Sequence, residues 1–307
     1  MELQVSTIVG VFTSDLFLRA FAPARGAEPL YGAQMWLVRR SVVSMAECSP
    51  WNGFIEDFEP DTILQTARDH SAWTVSFTCQ QTIQDSRFQM LPPTPTLLTF
   101  PEFVPDQKLR GKLKKAAPLK ASIEYGKATD MEGLLVDLWT KLGRGIPMSF
   151  FSILEEAGVG RTLLAKVDGK TMAAVFYVTD DDRANYMYTL VSDAASKGTE
   201  ITSFLIYSFL QTSFANHAPY VDLCGASVPA IYTFKKRFST TIAWRPRYIA
   251  VLNPLWKIAK NWAKYLYADQ SSHIPEKEQW QRYLAEDLIK KGKSGELLAA
   301  KTESPPA

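Results

Sequence analysis

The sequence predicts a mixed α/β (α+β) fold, and three observations carry that prediction. Between residues 161 and 251 the hydrophobic period switches repeatedly, giving the order β-β-β-α-β-α-β. The first two of those strands are joined by Asp168-Gly169, a dipeptide that suits a two-residue hairpin because glycine accepts positive φ without a Cβ penalty. The long helix from Glu200 to Asn216 is apolar on more than one face, so it has to be buried between a sheet and other elements. A hairpin meander followed by a crossover helix and another strand gives a mixed sheet.

The elements follow in order. Ser14-Asp15 ahead of Leu16, Phe17, Leu18, Ala20 and Phe21 marks a short capped helix. Met35 to Val38 and Trp73 to Phe77 are strand-like, with a helix from Asp61 to His70 between them. The prolines of Leu91-Pro92-Pro93-Thr94-Pro95-Thr96 exclude a helix there, and Leu97 to Phe100 should be a strand. A boundary near Pro105 follows. Lys108, Arg110, Lys112, Lys114, Lys115 and Lys120 then concentrate basic charge ahead of a strand at Ala121 to Tyr125. Asp130 can cap a helix through Leu134, Leu135, Leu138 and Leu142. The meander occupies Thr162 to Val167, Met172 to Val178 and Asn185 to Val191. Beyond the buried helix come a short strand, Tyr220 to Leu223, a helix from Val228 to Phe238, and a strand from Ile242 to Val251. After residue 253 two helices are expected, then a disordered tail.

Composition narrows the function. The chain has 307 residues, 46% hydrophobic and 21% charged, enough for one large domain or two moderate ones. Its 34 Lys+Arg against 32 Asp+Glu leave a net charge of +2, too balanced for a DNA binder that works by phosphate neutralisation. No apolar run reaches 18 residues, and Met1-Glu2-Leu3-Gln4 lacks the basic start of a signal peptide. Cys48, Cys79 and Cys224 are scattered, as are His70, His217 and His273, so reduced thiols, no metal site and a cytoplasmic location are expected. Lys257, Lys260 and Lys264 opposite Trp262 would suit a peripheral membrane contact, but packing on the domain with the lysines in water is the favoured reading.

Nucleotide loops and hydrolase elbows are missing. Gly158-Val159-Gly160 has no third glycine in place and precedes a strand. Two other segments carry chemistry. Ser192 to Thr199 joins the third strand to the buried helix, where backbone amides and the helix dipole favour an anion and Lys197 adds charge. The same residues also suit an ordinary connection capped by Ser196 or Thr199. The second segment pairs Asp222, a carboxylate in an apolar strand and expensive to bury alone, with the basic run Lys235-Lys236-Arg237. Lys235 as its partner would explain both residues, while Phe234 and Phe238, four apart, face the core.

The succession Leu163 to Lys170, Ala184-Asn185-Tyr186-Met187-Tyr188, Tyr220-Val221-Asp222-Leu223-Cys224-Gly225 and Phe234-Lys235-Lys236-Arg237-Phe238 resembles the FemAB-like branch of the GNAT acyltransferase superfamily. That branch includes peptidoglycan aminoacyltransferases and CelD-type acetyltransferases of polysaccharide biosynthesis. Its pattern is a strand ending in aspartate and glycine, then a helix carrying Phe-Lys ahead of Phe-Gly. Here Ser239 replaces the last glycine. The resemblance implies tandem GNAT-like halves, a degenerate one over 1–105 and an acyltransferase half over 106–252, plus a C-terminal helical extension over 253–307.

It further implies an N-acyltransferase with acyl-CoA as donor substrate and an amine acceptor, in cell-envelope or polysaccharide biosynthesis. Ser192, Ser196, Lys197, Gly198, Thr199 and Phe234 are then the expected donor-binding residues, because Ser192–Thr199 stands where the family has its pyrophosphate loop. Lys235 would stabilise charge or touch the donor, with Asp222 holding it. The strand from Tyr188 to Val191 would offer a backbone donor to the oxyanion, and Tyr188 is the candidate acid for the leaving group unless its ring simply packs on the sheet. No charged helical arm is visible, so transfer RNA is not expected as a partner. The alternative is a catalytically inactive GNAT-like binding or scaffold protein.

Overall fold

The computed structural model describes residues 14–24, 26–30, 35–40, 43–48, 59–78, 83–142, 146–180, 183–225 and 229–256. In chain order the elements begin with α1 (Asp15–Ala24), β1 (Ala27–Leu30), β2 (Met35–Arg40), β3 (Val43–Cys48), α2 (Pro60–Asp69), β4 (Thr74–Thr78) and β5 (Gln89–Thr99). Next come α3 (Gln107–Ala116), β6 (Ser122–Gly126), α4 (Glu132–Leu142), α5 (Met148–Glu156), β7 (Gly160–Val167), β8 (Lys170–Thr179) and β9 (Asn185–Ser192). The last are α6 (Ile201–Ala215), β10 (Val221–Asp222), α7 (Pro229–Lys235) and β11 (Thr241–Val251). The two helices expected after residue 253, and with them the reading of Lys257, Lys260 and Lys264, lie outside the described residues.

Two compact units emerge, and neither is continuous in sequence. The first takes Met1–Pro29, Leu97–Cys224 and Thr233–Thr241; the second takes Leu30–Thr96, Gly225–Tyr232 and Ile242–Ala307. The sequence boundaries at 105 and 252 cut across both.

In the second unit β2 pairs antiparallel with β3, β3 parallel with β4, and β4 antiparallel with β11. Its core gathers Leu37, Ala46, Val75, Phe77, Phe88 and Tyr248 with Ile63, Leu64 and Ala67, which form the inward stripe of α2. Pro60 opens that helix at a position where a missing amide hydrogen costs nothing. The phenol oxygen of Tyr248 accepts the Ile83 amide at 2.9 Å.

The first unit holds the meander. β6, β7, β8 and β9 pair antiparallel in succession, and β10 adds in parallel to β9 while pairing antiparallel with the end of β5. Asp168 and Gly169 take φ of 49° and 76°, the doubly left-handed turn that the dipeptide predicts. Adjacent residues of β8 face opposite sides. Phe176 meets Phe151 of α5 at 5.0 Å, whereas Tyr177 meets Phe209 of α6 at 4.9 Å. Phe150 in turn packs on Phe17 and Phe21 of α1. With one layer on each side, both strand faces are apolar, and α6 is buried through Ile201, Leu205, Ile206, Phe209 and Leu210. Among the described residues no helix is long and apolar enough to cross a membrane.

Several details differ from the sequence reading. β5 runs unbroken through Pro92, Pro93 and Pro95, because a proline φ is compatible with extended chain where no ladder bond needs its nitrogen. α5 had no forecast at all: it is short, and Pro147 precedes it without a side-chain cap. β10 is only Val221–Asp222, shorter than the apolar run Tyr220 to Leu223.

Candidate functional site

β9 and β10 part company early. They pair in register at Val221↔Asn185 and Asp222↔Tyr186, then β10 ends while β9 continues to Ser192. On its other side β9 carries a bulge: Phe176 faces Thr189 and Tyr177 faces Met187, so Tyr188 is the inserted residue. A bulge bends the strand and re-aims side chains, which is why bulges collect beside functional sites. The two features put a splayed edge inside the first unit, just beyond Tyr186.

The end of β10 is held by a network of polar groups. Asp222 is 1% exposed, and its Oδ1 accepts the Cys224 amide at 2.7 Å, closing a tight side-chain turn. Cys224 and Gly225 then take φ of 52° and 25°. For Cys224 that left-handed backbone costs about 1 kcal/mol, which the Asp222 bond offsets. Lys235, the last residue of α7, reaches back to this turn, its Nζ donating to the Leu223 carbonyl at 2.6 Å and the Cys224 carbonyl at 2.8 Å. Burial pushes the Lys235 pKa down from its ordinary value, opposed by the charges of Cys224 and Asp222. Asp222 and Lys235 therefore do converge, Asp222 fixing the turn whose carbonyls bind the lysine.

Tyr188 is half-buried. Its ring lies 4.8 Å from Phe150 and 6.3 Å from Phe151, so α5 sets its orientation. Phe234 is also half-buried and packs on Phe238 at 5.6 Å, the fully buried anchor of the same segment. Ser239, in place of the glycine, puts its hydroxyl 2.9 Å from the Leu98 carbonyl and 2.8 Å from that of Thr241. Sequence reasoning missed the phenol pair beside Asp222, where Tyr186 and Tyr220 bring their oxygens to 2.7 Å. The alternation Tyr186, Tyr188 hinted at it, but Tyr220 lies just before β10 and is separated from β9 by α6.

No family model and no curated protein matches the chain. Solved structures do. FemX aligns with a TM-score of 0.55 over 73% of this chain and 85% of its own, at 9% identity. The C-terminal domain of a protein named as a lysylphosphatidylglycerol synthetase, from Agrobacterium fabrum, aligns at 0.51 over 71% and 80%, with 15% identity. A conserved protein of unknown function from Bacteroides thetaiotaomicron aligns at 0.55 over 79% and 92%, with 12% identity. The fold is FemX-like. The FemAB-like resemblance read from the sequence thus holds at the level of the fold.

That fold directs attention to the connection Ser192–Thr199, the expected diphosphate cradle. Several of its donors are spent internally. Asp193 Oδ1 accepts the Ala195 amide at 2.8 Å, the Asp193 carbonyl accepts the Ser196 amide at 2.9 Å, and the Ser196 carbonyl accepts that of Thr199 at 3.0 Å. The Ser196 and Thr199 hydroxyls donate to the Asp193 and Ser196 carbonyls, both at 2.6 Å. Lys197 gives its amide to the Ala194 carbonyl at 3.3 Å, and Gly198, with φ of 85°, turns the chain. Ser196 does not cap α6, and Thr199 stands one residue before the cap position, its Oγ1 accepting the Ile201 amide at 3.4 Å. That position belongs to Glu200, held left-handed at φ 61°. Its carboxylate pairs with Lys112 of α3 and accepts the Ser203 hydroxyl at 3.1 Å. Burial alone would raise the Glu200 pKa, but the bonds from Lys112 and Ser203 and the charges of Lys112 and Lys115 leave it lowered. A loop with several amides already committed, followed by a carboxylate at the helix end, does not fit a diphosphate.

Proposed function

We propose that this chain is an acyltransferase that moves an acyl group from an activated carbonyl donor to an amine. The observation that supports it most is the splayed, bulged edge of β9 at Tyr188, beside the Asp222–Lys235 turn. Acyl transfer to an amine asks little covalent work of a protein. The acyl carbon–sulfur or carbon–oxygen bond breaks, a carbon–nitrogen bond forms, the amine gives up a proton and the leaving group takes one. What must be supplied is alignment and a fixed dipole for the oxyanion. In this reading a β9 amide beyond the bulge meets the oxyanion, and Lys235, held at the end of β10, supplies positive charge. Asp222 acts through the turn as a positioning residue, and Tyr188, its ring locked by α5, returns the proton to the leaving group.

Shared fold with FemX and with a domain named for lysylphosphatidylglycerol synthesis supports aminoacyl as well as acyl groups as cargo. A cell-envelope or polysaccharide setting comes from the family resemblance alone. The alternative, a non-catalytic binding protein on this fold, is favoured by the committed loop in front of α6.

The test offers the full chain three donor classes, acyl-CoA, acyl-pantetheine and aminoacyl esters, with a panel of amines, and follows amide product by mass spectrometry. Amide formation from at least one class, reduced tenfold or more in Tyr188→Phe, is the expected result. No amide above the uncatalysed rate from any class would leave the scaffold reading standing.

A further inference from the structure

The positive end of α6 already has an anion, and it belongs to the chain. Glu200 sits left-handed at the cap position, its carboxylate turned back over the first helical turn to meet Ser203, while Lys112 is brought up by α3, which packs against α6. The helix dipole and the lysine both favour negative charge at that point, and one carboxylate satisfies both. In the preceding connection, the amides of Ala195, Ser196 and Thr199 have partners inside the loop. A second carboxylate, Asp193, stands in the same connection and is paired with Lys170 at 2.7 Å. An incoming diphosphate would meet two carboxylates and several amides that already have partners.

We propose that Glu200 is a specificity determinant, a built-in counter-anion that bars diphosphate from the α6 N-terminus. Donors held through a diphosphate at this position are therefore excluded, and the donor class is an activated acyl ester or thioester gripped elsewhere along its length. As a statement about donors this rests on the acyl-transfer reading; as a statement about anion binding it does not. Removing the carboxylate should convert the helix end into an anion site. Lys112 would be released toward it, and Lys115 lies close enough to feel charge at Glu200.

The experiment measures inorganic pyrophosphate binding by calorimetry, on the wild-type chain and on two variants. Glu200→Gln removes the charge and keeps the size; Glu200→Gly also suits the left-handed backbone. Both should gain pyrophosphate affinity by at least tenfold over wild type, and adding Lys112→Gln should abolish the gain. CoA should bind wild type no more tightly than pantetheine, which lacks the diphosphate. Wild-type affinity for pyrophosphate equal to that of the variants, or no gain in whichever variant folds, overturns the proposal. Amide formation from acyl-pantetheine or an aminoacyl ester is followed in the same wild-type sample. If transfer is absent while the variants still gain pyrophosphate, the acyl-transfer reading falls and the counter-anion stands.

Discussion

Replacing Lys235 by methionine is the sharpest probe of the turn at the end of β10. Methionine keeps an unbranched apolar stem and removes the ammonium, so the carbonyls of Leu223 and Cys224 lose their donor and Asp222 loses a nearby positive charge. A hydrogen bond from a charged group contributes about 1.5–3 kcal/mol, so two give roughly 3–6 kcal/mol gross. Part of that is offset, because the buried ammonium carries a desolvation cost that methionine lacks. A net loss of about 2–3 kcal/mol remains. In a chain of this size that lowers the Tm by about 3–5 °C.

The pH dependence separates this from simple packing loss. The folded pKa of Lys235 is depressed, so between it and the unfolded value, about 10.4, the unfolded chain holds more protons. Wild-type stability should therefore rise as pH climbs through that window, and the methionine variant should lack this contribution. Urea unfolding from pH 7 to 10 reads both effects. Equal midpoints for the two proteins, with parallel pH profiles, would refute the clamp and return Lys235 to the role of a surface charge.

Further expectations concern its neighbours. Asp222→Asn keeps an oxygen for the Cys224 amide and should cost little stability. Asp222→Ala leaves that buried amide without its acceptor and should cost about 2–3 kcal/mol in urea unfolding. Tyr188→Phe should preserve the midpoint because the rings of Phe150 and Phe151 stay covered, whereas Tyr188→Ala should lose roughly 2–4 kcal/mol. Gly160→Ala should destabilise by about 1–3 kcal/mol, since a Cβ there would meet Phe176 Cζ at 2.5 Å and the Leu154 backbone at 3.0 Å; an unchanged Tm would show that this contact relaxes freely.

What could be read from the chain was what short windows encode. The meander followed from short continuous apolar runs and from one dipeptide, Asp168-Gly169, whose turn needs no distant partner. The burial of α6 followed from its all-round apolarity, and Phe234-Lys235 was legible because i, i+4 aromatic spacing points two rings inward and leaves the lysine to another face. α5 escaped because its nine residues carry no cap, although its phenylalanines decide how Tyr188 is held.

The sequence by itself determined the strands, the sunken helix and the charged residues available for chemistry. Tertiary structure alone decided which of those charges meet. Lys112 reaches Glu200 across six intervening elements, β6, α4, α5, β7, β8 and β9, and Lys235 binds carbonyls that any residue type would supply. Backbone acceptors leave no signature in composition, and ion pairs far apart in the chain leave none in periodicity. The site was therefore visible as residues and hidden as geometry, because propensity acts over a few positions while a bond needs coordinates.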